Sequence, residues 1–188
     1  MMAAGTKLIP ASSQTVGPYF RIGLEYMIDR VQDVHGKREA TVEVRGRVLD
    51  RDGSPVPDAM LEFWSLSNDA QNAAISSRNA GVPEGFRRAA TGLDGDYSIV
   101  MNRPVVVRPE DQTDQAPHML VLVFARGLLR HLISRVYFEG EKSNETDPVL
   151  LTVPAERRHT LIAKMDGKDS YHWDVILQGA DETVFFAW

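Results

Sequence analysis

The side chains best suited to chemistry lie in and around one apolar stretch, residues 116–138. His118 opens the stretch, and Arg126 follows at its centre, directly before Gly127. Imidazole is a common metal ligand, and a guanidinium offers a fixed positive charge to an anion. The other histidines of the second half, His131, His159 and His172, share no ligand spacing. We expect those three to be exposed or structural.

A second candidate segment precedes the predicted strands and contains Thr15, Gly17, Pro18 and Tyr19. Gly-Pro is a loop signal, because proline fixes φ and restricts the residue before it. Glycine lets a backbone approach a ring closely, while Thr15 and Tyr19 offer hydroxyl groups and a flat aromatic face. The residues alone therefore leave two alternatives open: a loop that contacts an aromatic ligand, or a loop that only packs the N-terminal arm.

The stretch at 116–138 itself predicts a central β-hairpin with Arg126 at its tip. An unbroken apolar run ends at Phe124, and a segment rich in β-branched and aromatic residues follows at 132–138. This composition favours strands over a helix, and an apolar run of this length is typical of a strand that is buried on both faces.

The rest of the chain predicts an all-β fold, an antiparallel β-sandwich with long connecting loops and little helix. Further strands are predicted at 41–50, 60–66, 105–107, 160–164, 171–177 and 183–188, and residues 91–101 carry the hairpin signal Asp94-Gly95 before Tyr97 and Ile99. Residues 67–88 are predicted to be a long loop, and 139–158 a charged loop with room for a short helix. We expect one domain over residues 1–188, with 1–30 as an extended arm. The apolar residues at 184–188 must be buried, in this core or against a partner.

Composition excludes several classes of function. The chain has 188 residues, a formal net charge of −5 and no basic cluster, which argues against nucleic-acid binding. No segment approaches the roughly 20 apolar residues of a membrane span, and the first residues lack the apolar centre of a secretory signal. There is no cysteine, so disulfides and thiolate metal sites are excluded. We expect a cytoplasmic protein.

Several segments together resemble the intradiol ring-cleaving dioxygenase family, in the same order and over nearly the whole chain. The segments are SQTVGPYF, LEFW, LDGDYSIVMNRPVVV, APHMLVLVFARGLLRHLISRVYF and QGADETVFF. The resemblance implies a β-sandwich. It also implies that catalytic members hold a non-haem ferric ion with two tyrosines and two histidines, and cleave catechol rings with O₂.

This sequence departs from the ligand pattern that the resemblance implies. His118 matches the first histidine of the family's Pro-x-His-x-His motif, but Leu120 replaces the second. The two expected tyrosines fall near Asn72 and Val107, and no tyrosine is close to either. One neutral imidazole is insufficient for Fe(III), which prefers several hard anionic oxygen donors. We therefore expect no metal site and no catalytic residue in this chain alone, and a core role for His118 as a hydrogen-bond donor.

Some members of the family have two kinds of chain, and the resemblance places this one with the α subunits. Such a subunit completes the active site of a β subunit that binds the Fe(III), in an obligate hetero-oligomer. The positions that would face a small carboxylated aromatic substrate all match the family pattern: Thr15, Gly17, Pro18, Tyr19 and Arg126. A salt bridge at the subunit interface is the rival role for Arg126. Two other functions stay open, a non-catalytic binding module and a homomeric dioxygenase with atypical ligands.

Overall fold

The computed structural model describes residues 14–15, 17, 19–24, 28, 41–65, 85–109 and 113–187. This part of the chain contains nine strands. They are β1 (Thr41–Leu49), β2 (Met60–Ser65), β3 (Phe86–Ala90), β4 (Asp96–Asn102), β5 (His118–Phe124), β6 (Leu132–Phe138), β7 (Ile162–Met165), β8 (Ser170–His172) and β9 (Val175–Ile176). Three short 3₁₀ helices occupy Lys142–Glu145, Leu150–Thr152 and Ala155–Leu161. The predicted all-β class is confirmed. No helix in the described ranges is both long enough and apolar enough to cross a membrane.

The strands form one hydrogen-bonded path in the order β3-β2-β5-β6-β7-β8-β1-β4, with β9 beside β1. The path folds over itself, because its two end strands meet: Arg87 Nε donates to the Val100 carbonyl oxygen at 3.0 Å. The predicted sandwich is thus nearly closed. Most pairs are antiparallel, but β6–β7, β1–β8 and β1–β9 are parallel, which the sequence pattern did not predict.

The main core lies between the two halves of this path and is built from strands with two-residue periodicity. In β1, Val42, Val44 and Val48 are buried, as their alternation with charged residues predicts. In β5 only Met119, Val121 and Val123 are fully buried, and the opposite face of the strand is half-buried. The expectation that this strand is buried on both faces is therefore wrong for its second face. That face of β5 carries His118 and Leu120.

A second, smaller core covers the opposite face of β6. It contains Ala116, Tyr137, Leu150, Val153 and Leu161, with Ile162, Val184 and Phe186 packed against it. A strand is predicted at 183–188, but residues 183–187 do not form one. The Phe186 N–H still donates to the Ile133 carbonyl oxygen at 2.7 Å. Val184 and Phe186 therefore pack at least partly against the core of this chain. Residue 188 lies outside the described residues.

Three further boundaries differ from the sequence-based prediction. Strand β3 lies partly inside the predicted loop, and its Arg88 is paired with Glu62 of β2. Residues 105–107 form only an isolated bridge, between Val107 and Gln115. The strand predicted at 171–177 is divided into β8 and β9, because the Asp174 carboxylate accepts the Arg47 N–H at 2.8 Å and so replaces a backbone acceptor of the ladder.

Candidate functional site

The turn between β5 and β6 holds the N-terminal segment. Gly127 has φ +87°, a conformation that favours glycine, and its N–H donates to Thr15 Oγ1 at 2.9 Å. The Gly17 N–H donates to the same oxygen at 3.4 Å. The structure therefore brings together two of the segments that the sequence singled out, although they are far apart in the chain. Whether they contact a substrate stays a prediction.

Residues 19–24 form a helical segment that follows this loop and presents an aromatic side chain to the outside. Gly17 has φ +64°, and Pro18 lies outside the described residues. The Phe20 ring packs against Phe124 of β5 with 4.8 Å between ring centroids. Tyr19 is 80% exposed. Phe20 anchors the segment on the hairpin. The exposed ring and hydroxyl of the neighbouring Tyr19 are therefore accessible to another molecule.

Arg126 at the tip of the hairpin is paired with an acid that the sequence analysis did not select. Its Nη1 lies 3.6 Å from Asp58 Oδ2, and Arg21 Nη1 donates to Asp58 Oδ1 at 3.3 Å. Asp58 has φ +67°, which aspartate tolerates better than most residues, and it follows a run dense in turn residues. The Arg126 side chain is 57% exposed, so this ion pair is weak and leaves the guanidinium accessible to an anion.

His118 lies on the half-buried face of β5, opposite Tyr137, and Leu120 lies opposite Arg135. The His118 Nδ1 donates to the Ala116 carbonyl oxygen at 2.7 Å, which fixes the ring orientation. Burial lowers the pKa of His118. The Ala116 carbonyl and Asp147 oppose that shift, and the charge of Arg135 adds to it. These effects favour the neutral imidazole at neutral pH, and the backbone engages its Nδ1.

Beside His118 lies a buried polar network that sequence analysis missed. Arg135 is 8% exposed, and its Nη1 donates to Gln115 Oε1 at 2.8 Å and to the Tyr137 hydroxyl at 3.4 Å. The Tyr137 hydroxyl donates to Asp147 Oδ1 at 3.0 Å. Asp147 is fully buried and also accepts the backbone N–H groups of Ala116, Val149 and Leu150. A charged residue inside the apolar run of β6 was the one sequence signal for this network.

Among the described residues, the side chains around His118 offer few of the hard oxygen donors that a ferric ion prefers. The positions that the resemblance assigns to ligands include one imidazole at His118 and Leu120 two residues later on β5. Val107 is bridged to Gln115, and Asn72 lies outside the described residues. Burial raises the pKa of Tyr137 well above its ordinary value, so it remains a neutral donor to Asp147. Within the described ranges, no three His, Asp or Glu side chains are grouped as a metal site requires.

Comparison with known proteins finds similar chains over nearly the whole sequence. A family model described as dioxygenase matches residues 16–179. The chain is 42% identical to the protocatechuate 3,4-dioxygenase alpha chain of Burkholderia cepacia, over 96% of this chain and 98% of that protein. It is 38% identical to the alpha chain of Pseudomonas putida, with the same coverage. Identity to the beta chain of Burkholderia cepacia is 25%, over 76% of this chain and 66% of that one.

Solved structures show the same fold at low identity. The dioxygenase domain of a carbohydrate-binding fusion protein from Streptomyces sp. SirexAA-E superposes with a TM-score of 0.57 at 20% identity, covering 95% of this chain and 97% of that domain. Catechol 1,2-dioxygenase from Pseudomonas arvilla C-1 gives a TM-score of 0.60 at 19% identity, covering 80% and 56% of the two chains. Together with the family model and the sequence identities, these similarities show that the chain belongs to the intradiol ring-cleaving dioxygenase family.

Proposed function

We propose that this chain is the α subunit of a protocatechuate 3,4-dioxygenase and works with a β subunit that holds the iron. The assembled enzyme cleaves protocatechuate between its two hydroxyl-bearing carbons and incorporates both atoms of O₂, giving 3-carboxy-cis,cis-muconate, an aromatic catabolic step of the β-ketoadipate pathway. The observation that carries this proposal is the hydrogen bond between Thr15 and Gly127. It joins both proposed substrate-facing segments in a chain that is 42% identical to an alpha chain over nearly its full length.

The proposed role of these residues is to bind and orient the substrate rather than to react with it. The Thr15 oxygen accepts two N–H groups, so its own O–H remains available to donate to a ligand. Arg126 supplies a fixed positive charge for the carboxylate of the substrate. Gly17 allows close backbone approach, and Pro18 and Tyr19 provide an apolar wall. A ring held in this way is confined to one orientation, and water is excluded from its side.

Iron binding and the reaction of the ring with O₂ are assigned to the β subunit. Because the residues around His118 do not fit Fe(III), we place the ferric ion on the β subunit. The exposed apolar side chains near the hairpin turn, Tyr19, Ile22 and Leu129, suit a contact with another chain. A site shared by two chains requires a stable interface, and we propose an obligate α/β hetero-oligomer. A chain without cysteine also suits the reducing cytoplasm, where we place the complex.

The test is to purify this chain alone and together with its β subunit, and to measure iron content, visible absorbance and protocatechuate cleavage for each. We expect a colourless chain without iron when it is alone, and colour with ring cleavage only in the complex. One iron with a ferric tyrosinate band in the isolated chain would show that it is a homomeric dioxygenase with atypical ligands. Ligand binding by the isolated chain, with no gain from the β subunit, would show a binding module instead.

A further inference from the structure

The face of the β5–β6 hairpin that carries His118 also carries a buried cation. Leu120, at the position of the second family histidine, lies directly opposite Arg135 in the strand register. His118 lies opposite Tyr137, so the four side chains project from the same face of the two neighbouring strands. The Arg135 guanidinium is therefore a direct neighbour of the place where the resemblance puts metal ligands.

Arg135 is held at this place from several directions. Its Nη1 donates to Gln115 Oε1 at 2.8 Å, and Gln115 is bridged through its backbone to Val107, the residue near the expected position of a tyrosine ligand. The same nitrogen donates to the Tyr137 hydroxyl at 3.4 Å. Its Nε is buried and has no hydrogen-bond partner among the described residues. The side chain is 8% exposed, so its charge is poorly screened by water.

The countercharge for Arg135 comes from Asp147, through Tyr137. The Tyr137 hydroxyl accepts from Arg135 and donates to Asp147 Oδ1 at 3.0 Å. Asp147 is fixed by backbone donors, among them the Ala116 N–H at 2.8 Å and the Leu150 N–H at 2.7 Å. A buried guanidinium is tolerated when it is paired and hydrogen-bonded in this way. Asp147, whose oxygens accept these internal donors, is thus linked to Arg135 through the Tyr137 hydroxyl.

We propose that Arg135 takes the electrostatic place of the metal ion in this chain, so that the Arg135–Tyr137–Asp147 network excludes a metal cation from the former ligand position. This inference rests on the proposed function, in which the β subunit holds the iron. A guanidinium is not deprotonated at any pH that a protein tolerates, so its repulsion of a divalent or trivalent ion is permanent. Loss of the second histidine is then only half of the reason that this position binds no metal. Restoring that histidine alone does not restore binding.

The test compares variants of this chain in the complex with its wild-type β subunit. Leu120→His restores the imidazole, and Leu120→His with Arg135→Gln also removes the charge. The control, Leu120→His with Arg135→Lys, alters the shape but keeps a positive charge. The probe is Zn²⁺, which binds nitrogen and oxygen ligands, and its stoichiometry and affinity are measured by equilibrium dialysis with elemental analysis.

We expect the Leu120→His/Arg135→Gln complex to bind one additional Zn²⁺ at least tenfold more tightly than either the Leu120→His complex or the lysine control. Equal Zn²⁺ binding by the single and double variants, whether tight or undetectable, would overturn the proposal. Tight binding by the lysine control would also overturn it, because charge would then be irrelevant. If the glutamine variant does not assemble, Leu120→His with Arg135→Met gives the same comparison with an uncharged side chain of similar length.

The experiment also separates this inference from the proposed function. Iron content and protocatechuate cleavage of the unmodified complex test the assignment of iron to the β subunit, and they do not involve Arg135. A wild-type complex with iron in this chain would disprove the proposed function. A wild-type complex with iron only in the β subunit, together with tight Zn²⁺ binding by Leu120→His alone, would disprove only the role of Arg135.

Discussion

Thr15 Oγ1 accepts a hydrogen bond of 2.9 Å from the N–H of Gly127, a residue that lies 112 positions later in the chain. The bond fixes the N-terminal segment on the tip of the central hairpin. It also uses only lone pairs of the hydroxyl, so that the Thr15 proton remains available to a ligand. One side chain can therefore serve both the packing of the segment and the binding of a substrate.

Replacement of Thr15 by valine removes this hydroxyl at nearly constant volume. We expect kcat/KM of the complex for protocatechuate to fall roughly fivefold or more, because one hydrogen bond contributes about 1 kcal/mol and two are affected. Thr15→Ser, which retains the hydroxyl, is the matched control and should retain most of the activity. Steady-state kinetics of both complexes measure the difference, and equal kcat/KM values for the valine and serine variants would contradict it.

Arg126 is predicted to recognise the carboxylate of the substrate, since its ion pair with Asp58 is long and exposed. In the Arg126→Gln complex we expect inhibition by 4-hydroxybenzoate to weaken roughly tenfold or more, because a charge-assisted hydrogen bond is lost. Inhibition by phenol, which has no carboxylate, should change little. Arg126→Lys keeps the charge and should restore part of the affinity.

A different result would assign Arg126 to the subunit interface. In that case Arg126→Gln would weaken both inhibitors equally and would lower the mass of the complex in size-exclusion chromatography at low protein concentration. The two measurements together therefore decide between the two roles that the sequence left open for this residue.

The two-residue periodicity of apolar residues predicts the strands that bury one face. It does not predict a strand with buried arginines, or a strand end that is set by a distant side chain. Alternation in β1 and the apolar run of β5 gave these strands nearly at their observed bounds. Strand β3 was missed because its buried arginines look like surface residues in a sequence, whereas Arg88 is paired with Glu62. The break between β8 and β9 depends on the Asp174 carboxylate, whose target, the Arg47 N–H, is distant in sequence.

Only part of the candidate site can be predicted from the sequence, because its other members are brought together by tertiary contacts. Thr15 and Arg126 stand in segments with local turn signals and a family resemblance. Asp58 follows a run of turn residues and Asp147 has no such signal, but neither lies in a segment with the family resemblance, and their roles arise from tertiary contacts with Arg126 and Tyr137. Arg135 carried a weak signal as a charge in an apolar strand, but its partner Gln115 could be found only from the strand pairing.

Asp147 is expected to be one of the most important single residues for the stability of this chain. It is fully buried and accepts hydrogen bonds from the Tyr137 hydroxyl and from backbone N–H groups. Asp147→Ala leaves these donors unpaired and Arg135 without a countercharge, so we expect a loss of about 3–5 kcal/mol. Tyr137→Phe, which removes one hydroxyl, should cost about 1–2 kcal/mol.

Urea unfolding of the Asp147→Ala, Tyr137→Phe and wild-type complexes, at one fixed protein concentration, measures these losses relative to the wild type. Trp173 is buried, so its fluorescence is expected to change when this chain unfolds. A smaller loss for Asp147→Ala than for Tyr137→Phe would contradict the assignment of the countercharge to Asp147.

His118 predicts a specific dependence of stability on pH. Burial lowers its pKa below the ordinary value of about 6.5 for histidine, and the Arg135 charge adds to that effect. The unfolded chain therefore takes up a proton at a higher pH than the folded chain. Stability from this group is complete above about pH 6.5 and is lost as the pH falls from there to the folded-state pKa, with a limiting slope of about 1.4 kcal/mol per pH unit.

The His118→Asn variant isolates this contribution, because asparagine keeps a donor for the Ala116 carbonyl but does not titrate. Urea midpoints measured from about pH 7.5 to about pH 5.5 should decline more steeply for the wild-type complex than for the variant. Other titrating groups affect both complexes equally and cancel in the difference. Parallel curves would mean that His118 has the same proton affinity in the folded and unfolded chains, and that its half-buried position beside Arg135 does not favour the neutral imidazole.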